Sequence, residues 1–244
     1  MRILYAGDSP VGGPANYFLG VLRHFNAKTT HLAPSQALQP QSFEKKFDAV
    51  IFSDYSARQC SDHVQQGIIR AVQEGMGFLM VGGWGSFSGP FGKWKKTPLE
   101  SILPVSCLSR DDRTNFPGGA AIQLKRRHAI LGDFSNQGLP VICGMNQVIP
   151  RSGATVVLAA RKIIHGRGLQ LEKKEYPLLV VNSGARMRTA VLTTDAAPHW
   201  CGGMVDWGTK TLTLPVAGEI KIQVGDAYVR FLSSIIRWLA SKSS

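Results

Sequence analysis

Residues 48–86 read DAVIFSDYSARQCSDHVQQGIIRAVQEGMGFLMVGGWGS, and this stretch decides the fold. Asp48-Ala49-Val50-Ile51-Phe52 is apolar and short, the pattern of a strand buried on both faces, and it ends in Ser53-Asp54-Tyr55. Ser61 then stands where a cap belongs, ahead of a helix to Glu74. The apolar stripe of that helix is Val64, Ile68, Ala71 and Val72, and Gly75 stops it. Gly77–Val81 is a second buried run and passes directly into Gly82-Gly83-Trp84-Gly85-Ser86. Buried strands alternating with amphipathic helices predict a mostly parallel sheet covered on both faces, hence an α/β fold.

Working outward, the same pattern begins earlier. Ile3–Ala6 is a fully apolar strand closed by the turn-rich Gly7-Asp8-Ser9-Pro10-Val11-Gly12-Gly13-Pro14. A helix is expected over Ala15–Phe25, with Phe18, Leu22 and Phe25 on one face, followed by a strand at Thr29–Leu32. The second half is less regular. Pro98–Leu103 reads as a helical turn, Ala121–Leu124 as a strand and His128–Phe134 as a short helix. Val141–Ile149, Thr155–Ala160, Pro177–Val181 and Thr189–Thr193 are strand candidates, the last two split by the turn Asn182-Ser183-Gly184. A hairpin over 209–224 turns at Pro215–Gly218 and either covers the domain or pairs with another subunit. Asp226–Ala240 closes the chain as a helix with Val229, Leu232, Ile236 and Leu239 inward. One domain spanning 1–244, decorated in its C-terminal half, is the simplest organisation.

Composition bounds the function classes. The chain has 244 residues, 44% hydrophobic and 18% charged, which excludes a disordered protein. The apolar run at the start is shorter than a secretory core, and no window approaches a membrane helix. Cys60, Cys107, Cys143 and Cys201 form no CxxC pair, so neither a zinc knuckle nor a disulfide scaffold is indicated. A cytoplasmic protein with reduced thiols, no metal and no cofactor is expected. Two features are unusual: 26 glycines, and 28 Lys and Arg against 16 Asp and Glu, a net charge of +12. The charge favours anionic partners without naming one.

In open parallel sheets, ligands sit outside the carboxyl ends of the strands. Those ends supply Asp8 and Ser9, then Ser53, Asp54 and Tyr55, then Gly82–Ser86, and later Asp195 followed by Ala196-Ala197-Pro198-His199-Trp200. Glycine there lets backbone N–H groups approach a ligand.

At these positions the chain resembles the class I glutamine amidotransferase-like family, in particular a bacterial branch of it. The resemblance is carried by Gly82-Gly83-Trp84-Gly85-Ser86-Phe87 and by Thr97-Pro98-Leu99-Glu100-Ser101-Ile102-Leu103-Pro104-Val105. Gly138-Leu139-Pro140 with Gly144-Met145-Asn146 also fits, as do Thr194-Asp195-Ala196-Ala197-Pro198-His199-Trp200 and Arg237-Trp238-Leu239. It implies a flavodoxin-like three-layer sandwich. It also implies a cysteine nucleophile on a glycine-flanked turn and a late His-x-Glu pair. Here Trp84 occupies the turn, and two residues after His199 stands Cys201, not Glu. Pro140-Val141-Ile142-Cys143-Gly144-Met145 only superficially echoes a cysteine elbow, because Val141 stands where a glycine is needed. A small-molecule-binding or scaffolding domain that keeps the pocket without the triad is the first expectation. Asp8, Gly82, Gly83, Trp84, Gly85 and Asn146 would bind a small anionic or planar ligand, with Ser86, Asp195 and His199 beside them.

Two other classes have sequence support. Gly7-Asp8-Ser9 is similar to the nucleophile block of SGNH-type esterases. Ser9, or Ser86 on the glycine turn, would then act with His199 and Asp195, and Gly144-Met145-Asn146 would mimic the oxyanion block. The Asp-to-His spacing is one residue longer than in that family. The third class is a nucleic-acid or anionic-surface binder using Phe91-Gly92-Lys93-Trp94-Lys95-Lys96 and Lys125-Arg126-Arg127-His128, which is not favoured because no recognition motif accompanies them. A homo-oligomer is compatible with all three.

Overall fold

The computed structural model describes residues 1–9, 12–43, 46–132, 138–166, 168–182 and 187–241. Its first half follows the expected alternation: β1 (Arg2–Gly7), α1 (Ala15–His24), β2 (Lys28–Leu32), β3 (Ala49–Ser53), α2 (Asp62–Gln73) and β4 (Gly77–Val81). The rest is mostly strand: β5 (Val105–Cys107), β6 (Arg113–Leu124), β7 (Val141–Asn146), β8 (Val148–Pro150), β9 (Ala154–His165), β10 (Leu169–Leu171), β11 (Tyr176–Asn182) and β12 (Thr189–Leu192). The short helix α3 (Pro198–Cys201), the hairpin β13 (Thr211–Ala217) and β14 (Ile220–Gly225), and α4 (Asp226–Ala240) complete it.

The main sheet runs β2-β1-β3-β4-β12-β11-β9-β6-β7. From β2 to β12 every pairing is parallel, and the order is that of a flavodoxin-like sandwich, as the buried runs predict. From β12 to β7 every pairing is antiparallel, so the sheet is mixed, with its parallel part on the side where the sequence alternates strand and helix.

Side-chain alternation along the strands makes two cores. Ile3, Tyr5, Ile51 and Leu79 face Phe18, Val21 and Leu22 of α1 and Phe231, Leu232 and Ile235 of α4. Leu4, Val50, Phe52, Phe78 and Met80 face Val64, Ile68 and Val72 of α2. Each fully buried side chain of this size contributes about 1.5–3 kcal/mol, which fixes the sheet between its helices. Ser61 caps α2 as expected, its Oγ accepting from the Val64 amide at 3.4 Å. No helix among the described residues is long and apolar enough to cross a membrane.

The structure corrects several boundaries. β6 is twelve residues long, not four, because Pro117-Gly118-Gly119 sits within the strand; the register against β7 shifts between Asn115 and Ala120. Val141–Ile149 divides at Gln147, and β8 leaves to pair with β5. Pro215 lies inside β13, opposite Lys221, so the turn expected over Pro215–Gly218 narrows to Gly218 and Glu219 between the strands. The hairpin covers α1, where Arg23 Nη1 donates to the Val216 carbonyl at 2.7 Å. Only Ala129–Leu131 of the helix expected over His128–Phe134 is a helical turn, and it is 3-10. Asp133 and Phe134, like Ser183 and Gly184 of the expected turn, lie outside the described residues.

Candidate functional site

The chain leaves β1 for β2 on one side and reaches β3 on the other, so the crevice of the sheet opens at the carboxyl ends of β1 and β3. Gly7 and Ser53 are paired there, and a Cβ on Gly7, whose φ is +112°, would overlap the Ser53 carbonyl oxygen. This close approach brings the next residues of both strands together. They are Asp8 and Asp54, both held in the left-handed region with φ of 45° and 53°. Asp195, just after β12, is the third acid acting at this end.

Burial dominates the electrostatics of this trio. Asp8 is 5% exposed, and desolvation followed by the charge of Asp54 pushes its carboxyl up to about 7, against an opposing hydrogen bond from Tyr5. The Tyr5 hydroxyl donates to Asp8 Oδ2 at 2.6 Å. Asp54, half-buried, is also raised by desolvation, although its Oδ1 accepts from the Gly85 amide. Asp195 is raised by desolvation and then by Asp8 and Asp54, while its Oδ1 accepts from the Ala197 amide at the entrance of α3. Carboxyls raised by burial at strand ends of a parallel sheet make this place a candidate functional site.

The glycine turn after β4 forms one wall. Gly83 has φ of +151°, and a Cβ there would collide with the Asp54 carboxylate. Asn146, fully buried at the end of β7, clamps this glycine: its Oδ1 accepts from the Gly83 amide at 2.9 Å, and its Nδ2 donates to the Gly83 carbonyl at 3.2 Å. The same Nδ2 donates to Asp112 Oδ1 at 2.7 Å, and Asp112 Oδ2 accepts from the Ser88 amide at 2.6 Å. Asp112 is itself pushed up to about 6 by burial, with these hydrogen bonds opposing. Asn146 therefore holds the turn, and both of its Nδ2 hydrogens are taken. Trp84 projects from the turn, 47% exposed, with the Arg113 guanidinium 4.5 Å from its ring centre.

The residues expected to react are placed differently. Ser86 is 1% exposed; its Oγ donates to the Val81 carbonyl at 2.6 Å and accepts from the Asp54 amide at 3.2 Å, so its proton is committed to the backbone. Ser9 is exposed beyond Asp8, and His199 is exposed on α3. Among the described residues no hydrogen bond or ion pair joins His199 to Asp195, Ser9 or Ser86. Cys60, Cys107 and Cys201 are buried, with thiols pushed up chiefly by desolvation, and Cys143 lies in β7.

Other expected roles also change. Trp94 is fully buried, its Nε1 donating to the Tyr55 carbonyl at 2.8 Å, so it offers no ring to a base. Lys95 pairs with Glu100 at 3.4 Å, and Lys125 with Glu175 at 2.8 Å. Among the described residues no group of three His, Cys, Asp or Glu side chains is placed to hold a metal ion.

Sequence reasoning missed Asp112, which sits in the charged segment Ser109-Arg110-Asp111-Asp112 and reads as a solvated loop. It also took Tyr5 only as part of an apolar strand. A tyrosine three residues before an aspartate at a strand end was the available signal.

Comparisons with known proteins bear on the family and the fold. Residues 14–216 match the family described as "Putative glutamine amidotransferase". No curated protein sequence matches the chain. Among solved structures, the cytoplasmic protein STM3548 from Salmonella typhimurium is similar at 22% identity and a TM-score of 0.74, with 98% of each chain covered. The cytoplasmic protein STM1381 from Salmonella typhimurium LT2 is similar at 23% identity and a TM-score of 0.75, covering 98% of this chain and 99% of that one. PurLQS from Thermotoga maritima is more distant, at 11% identity and a TM-score of 0.53, with 98% of this chain and 99% of that chain covered.

Proposed function

This chain belongs to the putative glutamine amidotransferase family, and we propose that within it the protein acts as a small-molecule-binding domain of the cytoplasm rather than as a glutaminase. The observation that carries this reading is the turn itself: where a nucleophile would be presented it presents Trp84, beside the paired ends of β1 and β3 that carry Asp8 and Asp54.

Glutamine hydrolysis needs a thiolate aligned with a histidine. The buried thiols resist ionisation, and Cys201 takes the place of the glutamate after His199. The description of both Salmonella relatives as cytoplasmic proteins and the four free cysteines support the compartment. The sequence expectation is a small anionic or planar ligand; where Asp8 and Asp54 are ionised, a ligand that donates hydrogen bonds suits them better than an anion. A serine hydrolase has less support, because the Ser86 proton is bonded to Val81 and no hydrogen bond among the described residues joins Ser9 to His199.

The test has two parts. Ammonia release from glutamine is expected to stay at the rate of a blank. Mass spectrometry of small molecules carried by the native protein is expected to find one that Asp54→Asn releases. Glutamine turnover above the blank that His199→Ala abolishes would refute the reading, as would a carried molecule that Asp54→Asn retains in full.

A further inference from the structure

A second hollow lies at the same end of the sheet and shares no residue with the crevice. It encloses about 430 Å³ between the loop that follows β2, the connection from β3 to α2, and the loop beyond the glycine turn. That volume lies in the range of small-molecule sites. Leu38, Ala57 and Cys60 supply its buried, apolar part.

Its walls are bonded to one another. The Leu38 amide donates to the Gln59 carbonyl and the Ala57 amide to the Gly92 carbonyl, both at 2.8 Å. Gln65, 1% exposed, ties two walls: its Nε2 donates to the Cys60 carbonyl at 2.8 Å, and its Oε1 accepts from the Leu99 amide at 3.0 Å. Walls held in this way keep the hollow open without a ligand, so little ordering remains to be done on binding.

Three charged side chains line the hollow, Arg58, Lys93 and Asp62, all of them exposed. Arg58 and Lys93 each follow a residue of the Ala57–Gly92 hydrogen bond, so two adjacent chain segments bring them to one place. Neighbouring cations are engaged, Lys95 with Glu100 and Arg113 with Asp111. Among the described residues Arg58 and Lys93 make no ion pair and no side-chain hydrogen bond, with Asp62 or any other group. Of the basic cluster Lys93-Trp94-Lys95, the ring is buried and Lys95 is paired, which leaves Lys93 for an anion.

We propose that this hollow binds a small aliphatic molecule through its phosphate group, with the Arg58 guanidinium and the Lys93 ammonium on the phosphate oxygens and the rest of the molecule against Leu38, Ala57 and Cys60. This site stands apart from the strand-end crevice, and its occupancy does not depend on what the crevice takes. A planar carboxylate is satisfied by the fork of one guanidinium; a second cation from another segment suits the tetrahedral phosphate, whose oxygens point in several directions. A nucleic acid suits it less, because no aromatic ring among the described lining residues could stack on a base.

The experiment is calorimetric titration of the full-length protein at low ionic strength with ribose 5-phosphate, inorganic phosphate, ribose and acetate. Both phosphate compounds are expected to bind, ribose 5-phosphate no more weakly than inorganic phosphate, while ribose and acetate give no heat of binding. Arg58→Ala and Lys93→Ala are each expected to weaken phosphate binding about tenfold or more, the worth of a hydrogen bond between charged groups. Both side chains are exposed, so their variants are expected to keep the thermal midpoint of the wild type. Asp62→Asn removes the acid that opposes the anion, and is expected to tighten binding about two- to threefold. Lys28→Ala, exposed at the start of β2, removes the same net charge as Lys93→Ala and is expected to leave affinity unchanged.

No binding of either phosphate compound would overturn the proposal. So would acetate binding as tightly as phosphate, inorganic phosphate binding more tightly than ribose 5-phosphate, or a loss from Lys28→Ala as large as that from Lys93→Ala. Each of these outcomes leaves the crevice reading where it stands. A carried molecule that Arg58→Ala releases and Asp54→Asn retains in full would place the ligand in this hollow and refute the crevice reading instead.

Discussion

Two buried aspartates on either side of the Gly83 turn stand in opposite situations. Asp112 is fully buried with a donor on each oxygen, Asn146 on one and Ser88 on the other. Asp8 is 5% exposed, is eased by Tyr5 and Ser53, and faces the charge of Asp54. The first is a structural tie: its network fixes the wall of the crevice. The second stands beside another half-buried acid at the end of the neighbouring strand. Burial alone does not separate the two; the neighbouring acid does, since Asp111 beside Asp112 is exposed and paired with Arg113.

The sharpest way to break this contrast is to make the same change at both sites. Asp112→Asn would place an amide N–H against one of two donors, and the loss would pass through Asn146 to the Gly83 peptide. A destabilisation of about 2–4 kcal/mol is expected in chemical denaturation at pH 7. Gly83→Ala attacks the wall from its other side, because φ of +151° and the Asp54 carboxylate both oppose a methyl group. A cost of about 2–3 kcal/mol is expected in the same measurement.

Asp8→Asn has the opposite sign. A carboxyl whose folded value is raised binds more protons when folded than when unfolded, so stability is highest below about 4 and falls as pH rises toward 7. Removing the charge is expected to flatten that fall and to add about 1–2 kcal/mol at pH 8, read from denaturation curves across the pH series. The smallest effects belong to exposed groups. Trp84→Ala is expected to cost no more than about 1 kcal/mol, the worth of an exposed cation–π pair, and His199→Ala about 0.5 kcal/mol or less. A large loss from either would mean that the wall is built differently.

Much of this architecture is legible in the sequence. Fully buried strands such as β1, β3 and β4 have no polar face, so they read as unbroken apolar runs and place the parallel half without ambiguity. Their ends then point to Asp8, Asp54 and the Gly82–Ser86 turn. The antiparallel half is less legible because its strands are long, half-exposed and interrupted, as Pro117-Gly118-Gly119 interrupts β6. Roles within the site are harder to read than positions. Asn146 and Ser86 are in the right place, but whether an amide or hydroxyl serves a ligand depends on what its hydrogen bonds already hold. Asp112 gives no warning, since a loop acid buried by tertiary packing looks in sequence like any surface aspartate.

The central contrast is tested most directly by carbon-detected NMR titration of the Asp8 and Asp112 carboxyls in the same sample, in the wild type and in Asp54→Asn. Asp8 is expected to titrate near 7 and Asp112 near 6 in the wild type. Removing the Asp54 charge is expected to lower Asp8 and to leave Asp112 where it was. Both carboxyls moving together, or neither moving, would contradict the account.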